Sequence, residues 1–262
     1  MIQISILPVL TALYNGVKRQ FGKIVQNDYL SLQEKINAIN SGNLYYSIVG
    51  NTTFLILKDI RTCRLIYYSP SLADMEKDLA SLTLPGVSSL IMEEMQRQDA
   101  SPFSFLPNMT LREMIRHDVP GIISSASPHV QIPSASDLSE IESLLCSNFN
   151  PIFERVPDVA QLQRYHSDNG IYIFRNGSDI LGVVIFEVKG KKIELKYWLT
   201  IAQARGNGVG AALMTEFFKA AKANNCSSMN LFVDVNNCTA ISQYSRYGFK
   251  EEKKFDLIYK II

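Results

Sequence analysis

LTIAQARGNGVG, residues 199–210, carries an apolar strand pattern through Arg205, Gly206, Asn207, Gly208, Val209 and Gly210 into the helical run ALMTEFFKAAKANN (212–225). A glycine-rich turn between a strand and a helix leaves backbone N–H groups bare at the positive end of a helix dipole, where a phosphate or pyrophosphate binds. The stretch therefore predicts a phosphorylated cofactor. Its spacing admits two cofactor classes. Gly206-x-Gly208-x-x-Ala211 fits the loose dinucleotide pattern, but that pattern belongs near the start of a parallel βαβ series, with further strand and helix pairs after it. Little chain follows Gly210. Upstream, GIYIFRNG runs into SDILGVVIFEV and KGKK into IELKYWLT, two tight turns that read as an antiparallel meander.

The other spacing, Arg205-x-x-Gly208-x-Gly210, resembles the Q/R-x-x-G-x-G/A signature of the GNAT superfamily of acetyl-CoA-dependent N-acetyltransferases. After the turn comes an amphipathic helix with Val209, Leu213, Phe217 and Ala221 on one stripe, then the strand SSMNLFVDV, then NNCTAISQYSRYGF. The last segment is similar to the family's second motif, N-x-x-A-x-x-x-Y followed by G-F, carried by Asn237, Ala240, Tyr244, Gly248 and Phe249. The resemblance covers roughly residues 128–262. It implies acetyl-CoA as co-substrate with no metal, and places the pyrophosphate on residues 205–210. The pantetheine arm would pair with main-chain groups of Trp198, Leu199 and Thr200, so side-chain identity there is loosely constrained. Thr200, Ile201, Ala202 and Gln203 depart from the family's frequent V-x-P-x before the turn.

Chemistry follows from the same resemblance. Moving an acetyl group from a thioester to an amine needs a deprotonated amine, a polarised carbonyl and an acid for the leaving thiolate. The acid falls on Tyr244, whose alternative role is packing against Tyr247 and Phe249. Asn237 ties its helix to the cofactor arm, serves as an N-cap, or does both. The base falls on Glu194 by counting back along IELKYWLT, with Glu187 as runner-up; an exposed charge beside Lys192 and Lys196 is the plainer reading of Glu194. In this fold the first two helices line the acceptor side, so Phe153, Glu154 and Arg155 between them are candidate substrate contacts.

Composition bounds the rest. The chain has 262 residues, enough for two domains with separate cores. The expected fold class is α/β with a mixed sheet, with a smaller N-terminal α/β domain over 1–125 and the GNAT-like domain over 126–262. A net charge of +1 with 19% charged residues gives no global field for nucleic acid or an anionic membrane. Cys63, Cys146, Cys226 and Cys238 show no C-x-x-C pair and no histidine at ligand spacing, which argues against a disulfide framework or a zinc site. MIQISILPVLTALYNG lacks a basic n-region and a cleavage site and is expected to be the first helix of a cytoplasmic protein.

Residues 3–41 read as two helices, and LYYSIVG, NTTFLILKDI and TCRLIYYS as three strands. PSLADMEKDLASL reads as a helix and VSSLIMEEM as a strand, an order similar to the front half of a GNAT fold without its cofactor signature. The Pro-, Ser- and Gly-rich stretch 118–136 marks the change of domain and supplies the first strand of the second one. Ser136 is expected to cap the helix DLSEIESLL, with Leu138, Ile141 and Leu145 buried, and another helix follows Pro157. The expected function is transfer of an acetyl group to a primary amine of a small molecule, amino sugar or peptide. Alternatives are a non-catalytic acyl-CoA-binding module and transfer of a longer acyl group. Oligomeric state stays open, a homodimer included.

Overall fold

Runs of alternating apolar residues punctuated by tight turns form the strands of two units. The computed structural model describes residues 1–121 and 127–262; unit 1 comprises Met1–Leu111 with Lys254–Ile262, and unit 2 comprises Arg112–Lys253. In unit 1 the elements are β1 (Ile2–Gln3), α1 (Leu7–Phe21), β2 (Val25–Gln26), α2 (Leu32–Asn40), β3 (Leu44–Val49), β4 (Thr52–Lys58), β5 (Cys63–Ser69), α3 (Leu72–Leu79) and β6 (Leu90–Gln96). The two helices, three strands, helix and strand expected here are all present. Local chemistry fixes the helix ends: Pro8 lies in the first turn of α1, Ser31 and Glu34 cap α2 reciprocally, and the Ser71 side chain accepts the Asp74 N–H at the start of α3. β3, β4 and β5 form an antiparallel meander, and β6 runs parallel to β5. Leu10, Val17, Ala38 and Ile39 of the helices bury against Leu55, Leu57 and Ile66, each larger side chain contributing about 1.5–3 kcal/mol on leaving water.

A strand that the sequence reading did not anticipate, β7 (Met109–Arg116), carries the chain into unit 2. There follow β8 (Val130–Gln131), α4 (Leu138–Asn148), α5 (Val159–Ser167), β9 (Ile171–Asn176), β10 (Asp179–Lys189), β11 (Lys192–Thr200), α6 (Val209–Ala223), β12 (Ser228–Asp234), α7 (Cys238–Arg246) and β13 (Lys250–Lys260). The strand order is β8-β9-β10-β11-β12-β7, with β8 to β11 antiparallel and β11 parallel to β12. Alternation along β10 sends Val184 and Phe186 into the core under α6, with Leu213, Phe217 and Ala221, and Val183 and Ile185 into a second core, with Leu138, Ile141, Leu145 and Leu162 of α4 and α5.

One expectation changes. Ser136 does not cap α4, whose N-cap position is Asp137 with no side-chain cap bond: residues 135–137 make a 3-10 turn leading into the helix, and at its start Ser134 donates from both its N–H and its hydroxyl to Asp137, each at 2.7 Å. Leu138, Ile141 and Leu145 remain the buried stripe. The 125/126 boundary lies outside the described residues, whereas the compact units divide at Leu111/Arg112. Residues 254–262, expected within 126–262, belong to unit 1 because Phe255–Lys260 pair antiparallel with β6. Among the described residues no helix is long and apolar enough to cross a membrane.

Candidate active site

Beyond β11 the chain makes a 3-10 turn at Ala202–Ala204, then enters α6 through Gly206 at φ 83° and Gly208 at φ 79°. Both torsions lie in the left-handed region that glycine occupies without steric cost. Gly208 is the N-cap of α6 and no side chain caps the helix, so the N–H groups of Val209, Gly210 and Ala211 have no helical acceptor and face outward from the positive end of a four-turn dipole. Gly210 answers a different need. A Cβ there would lie 3.0 Å from Trp198 Cζ2 and 3.2 Å from Thr200 Oγ1. Its smallness lets the Trp198 indole close on the turn and donate from Nε1 to the Gly210 carbonyl at 3.0 Å. Arg205 is exposed and donates from Nε to the Thr200 carbonyl at 3.3 Å.

The parallel ladder between β11 and β12 runs from Lys192↔Ser228 to Leu195↔Leu231 and ends there, although both strands continue. The cause is a bulge. Tyr197 pairs with Ile185 and Leu195 with Phe186, so Lys196 is an extra residue that bends β11 away from β12. The bulge also reverses the faces. Ile193 and Leu195 pack under α6, while Tyr197 and Leu199 pack with α4 and α5. Trp198, Leu199 and Thr200, expected to meet the cofactor arm, lie past the last rung, where an extended chain can add to β11 as a strand does.

α7 stands beside this opening. Asn237 Oδ1 accepts the Ala240 N–H at 3.1 Å, an N-cap as foreseen. One turn on, the Tyr244 ring lies 5.6 Å from Trp198 and 6.1 Å from Phe249. The hydroxyl makes no hydrogen bond among the described residues. Burial first, and the charge of Glu154 second, hold it above the ordinary tyrosine value, which keeps it a neutral phenol. Trp198 also meets Tyr247 edge-on at 5.6 Å, so its side chain ties the glycine turn to α7. The sequence reading assigned that position main-chain contacts alone.

The segment between α4 and α5 closes the other side. Its anchor is the Tyr197 hydroxyl, 2.7 Å from the carbonyl oxygens of both Glu154 and Arg155, with Phe149 edge-on to the Tyr197 ring at 5.4 Å. Asn150 Oδ1 accepts from the Ile152 and Phe153 N–H groups, and Glu154 Oε2 accepts the Asn150 N–H at 2.7 Å. Arg155 is exposed at φ 50°, a conformation that costs a non-glycine residue on the order of 1–3 kcal/mol and marks an over-determined site. Burial raises the Glu154 carboxyl above its usual range against the Asn150 hydrogen bond, and Asp234 at the end of β12 raises it further.

The comparisons with known proteins bear on this arrangement. The acetyltransferase (GNAT) family model matches residues 138–249. Over residues 138–249 the chain is similar to the GNAT acetyltransferases. Solved structures extend the likeness of fold to both units. A GCN5-related N-acetyltransferase from Sphaerobacter thermophilus superposes at TM-score 0.57 with 13% identity, covering 99% of this chain and 94% of its own. A protein from the GNAT family of Novosphingobium aromaticivorans gives 0.56 with 19% identity, covering 85% and 93%. A tandem GNAT protein from the clavulanic acid biosynthesis pathway gives 0.54 with 10% identity, covering 80% and 78%. No curated protein matches the chain in sequence.

Within the matched residues the expected base, Glu194, lies on β11. It sits before the bulge, opposite Asn230 on the paired part of the ladder. Lys196 Nζ lies 2.8 Å and Lys189 Nζ 3.3 Å from its oxygens, and Lys189 also holds Glu187 at 2.9 Å. Burial works against the Glu194 charge, but the two ammonium groups outweigh it, and its carboxyl falls below the usual range. Its field is felt by Tyr165 of α5, which burial first, and then Glu187 and Glu194, push up to about 12. His166 is engaged with the Pro133 carbonyl at 2.9 Å.

Unit 1 repeats the GNAT strand order with the opening shut. Its parallel ladder ends at Leu65↔Met92. Just beyond, the Asn27 side chain donates to the Leu65 carbonyl at 3.2 Å and the Glu93 carbonyl at 2.9 Å, and accepts the Tyr67 N–H at 2.8 Å. An amide thus occupies the position that a cofactor arm takes between splayed strands. The turn into α3 holds Ser69, Pro70 and Ser71, with no glycine, and Ser71 satisfies the helix start itself.

Proposed function

We propose that the protein is an N-acetyltransferase that moves an acetyl group from acetyl-CoA to a primary amine by direct attack, using unit 2 alone for the chemistry. The observation that carries this reading is Tyr244: a phenol without a hydrogen-bond partner among the described residues, packed on Trp198 at the mouth of the β11/β12 opening and one residue contact from the glycine turn. A binding module has no use for a proton donor there.

The residues present suit acetyl-CoA. The N–H groups after Gly208 suit the pyrophosphate, the main chain of Trp198, Leu199 and Thr200 suits the pantetheine amides, and the thioester that this co-substrate brings is the acetyl donor. Polarising the carbonyl falls to β11 main-chain N–H groups past the bulge. Tyr244 gives its proton to the departing sulfur. The bulge, by turning Tyr197 and Leu199 toward α4 and α5, anchors the 150–158 segment as the wall against which the acceptor is oriented. The test is release of free thiol from acetyl-CoA by the purified protein with a panel of primary amines, amino sugars, amino acids and peptides. Thiol release with none of them, while CoA still raises the melting temperature, favours a binding module instead.

A further inference from the structure

We infer that Glu154, on the segment between α4 and α5, is the catalytic base that takes the proton from the acceptor's ammonium group, and that Glu194 is an ion-paired residue of the sheet. The inference rests on the acetyltransferase reading and supplies the half of it that the sequence assigned elsewhere.

Three features of the geometry point the same way. Glu154 stands on the wall past the bulge: its carbonyl accepts the hydroxyl of Tyr197, the residue before Trp198 on which Tyr244 packs, and its charge bears on the Tyr244 phenol. Its carboxylate is held by one oxygen only: Oε2 accepts the Asn150 N–H, while Oε1 makes no hydrogen bond among the described residues. Its backbone is fixed twice, by its own N–H to the Asn150 carbonyl at 3.0 Å and by the Tyr197 hydroxyl on its carbonyl, and the Asn150 N–H on Oε2 restrains the carboxylate. The groups acting on its charge are the Asn150 N–H, which lowers its affinity for a proton, and Asp234, which raises it beyond the effect of burial. Among the described residues no ammonium group is paired with it, in contrast to Glu194 with Lys189 and Lys196. Glu154 is therefore the stronger base of the two, and Asp234 adds a second negative charge that favours a cationic amine at the entrance.

The step balances. Glu154 Oε1 takes a proton from the ammonium nitrogen, the nitrogen lone pair forms the C–N bond to the acetyl carbon as the C–S bond breaks, and Tyr244 gives its proton to the sulfur. The acetylated nitrogen sheds its second proton to solvent, and one proton passes from Glu154 to rejoin Tyr244, so that the net release is one proton for each ammonium acetylated.

The experiment pairs two amines of nearly equal shape, ethylamine, cationic at pH 7.5, and 2,2,2-trifluoroethylamine, neutral at that pH, with acetyl-CoA and thiol detection. Glu154→Gln keeps the Asn150 hydrogen bond and loses the basicity. The expected result is a fall in kcat/KM of about 10²-fold or more with ethylamine and of less than about threefold with trifluoroethylamine. Glu154→Asp retains a carboxylate at shorter reach and recovers part of the ethylamine rate. Equal losses with both amines, no loss with either, or a wild-type protein that acetylates neither would overturn the assignment. The CoA-induced rise in melting temperature of the wild type separates the two claims: its presence with a failed amine test sinks Glu154 alone, and its absence sinks the cofactor reading beneath it.

Discussion

Gly208→Ala isolates the backbone requirement of the cofactor turn. Gly208 stands at φ 79°, and nothing lies within 4 Å of where a Cβ would project. The substitution thus introduces no clash, and its whole cost is that of holding an L-residue in the left-handed region, about 1–2 kcal/mol. For a chain of this size each kcal/mol corresponds to about 2–4 °C, so the melting temperature falls by about 2–8 °C. Asparagine tolerates this conformation better than alanine, so Gly208→Asn loses less than Gly208→Ala. Gly208 is also the N-cap residue directly before the Val209–Ala211 N–H groups. A ligand at 100 times its Kd stabilises by about 2.7 kcal/mol, and Gly208→Val, with a branched side chain there, should abolish that CoA-induced rise. Melting followed by circular dichroism, with and without CoA, reads both effects. Gly208→Ala melting with the wild type, or Gly208→Val keeping the full CoA shift, would refute the reasoning.

Other perturbations have different signatures. Trp198→Phe removes the indole donor to Gly210 and should lower stability by about 1–2 kcal/mol while weakening CoA binding, measured by calorimetry; unchanged CoA affinity would show that the indole does not order the turn. Because Asn27 fills the unit 1 opening, CoA should bind at one equivalent per chain, and Asn27→Ala, which strands two buried carbonyls and an N–H, should cost about 1–3 kcal/mol without adding a second equivalent; two equivalents in the wild type would contradict the plugged opening. Burial, against hydrogen bonds from Tyr67 and Gln96 and with a further push from Asp256, raises the Glu94 carboxyl to about 7. The folded state therefore holds that proton longer than the unfolded chain, and stability falls as pH rises from the usual glutamate value through 7; Glu94→Gln should flatten that decline, and an unchanged pH slope in the variant would remove Glu94 as its cause.

Much of this molecule is written in its sequence, and the unwritten parts share a cause. Strands β3 to β6 and β9 to β12 follow from alternation and turn residues, and the glycine turn and α7 from short motifs whose geometry is local. β13 was illegible as a partner of unit 1, since a strand's pattern does not name the strand it pairs with. β7 went unread because TLREMIR alternates weakly, with only Met114 fully buried. IELKYWLT alternates without a break, so nothing in it announces the bulge at Lys196, which sets the opening, turns Tyr197 toward α4 and α5, and leaves Glu194 behind on the paired ladder. Asn27 lies 38 residues from the Leu65 carbonyl it binds. Glu154 was named only as a candidate acceptor contact, and the hold of the Tyr197 hydroxyl on its carbonyl, 43 residues away in sequence, is a product of packing.

The claim at the centre of this account is that Tyr244 protonates the leaving thiolate of acetyl-CoA, and Tyr244→Phe tests it directly. Among the described residues the hydroxyl has no hydrogen-bond partner to lose, and the ring contacts with Trp198 and Phe249 survive, so folding and CoA affinity should match the wild type. Thiol release from acetyl-CoA, with the fastest amine of the panel, should fall by about 10²–10⁴-fold in kcat. A kcat within about threefold of the wild type would contradict the account.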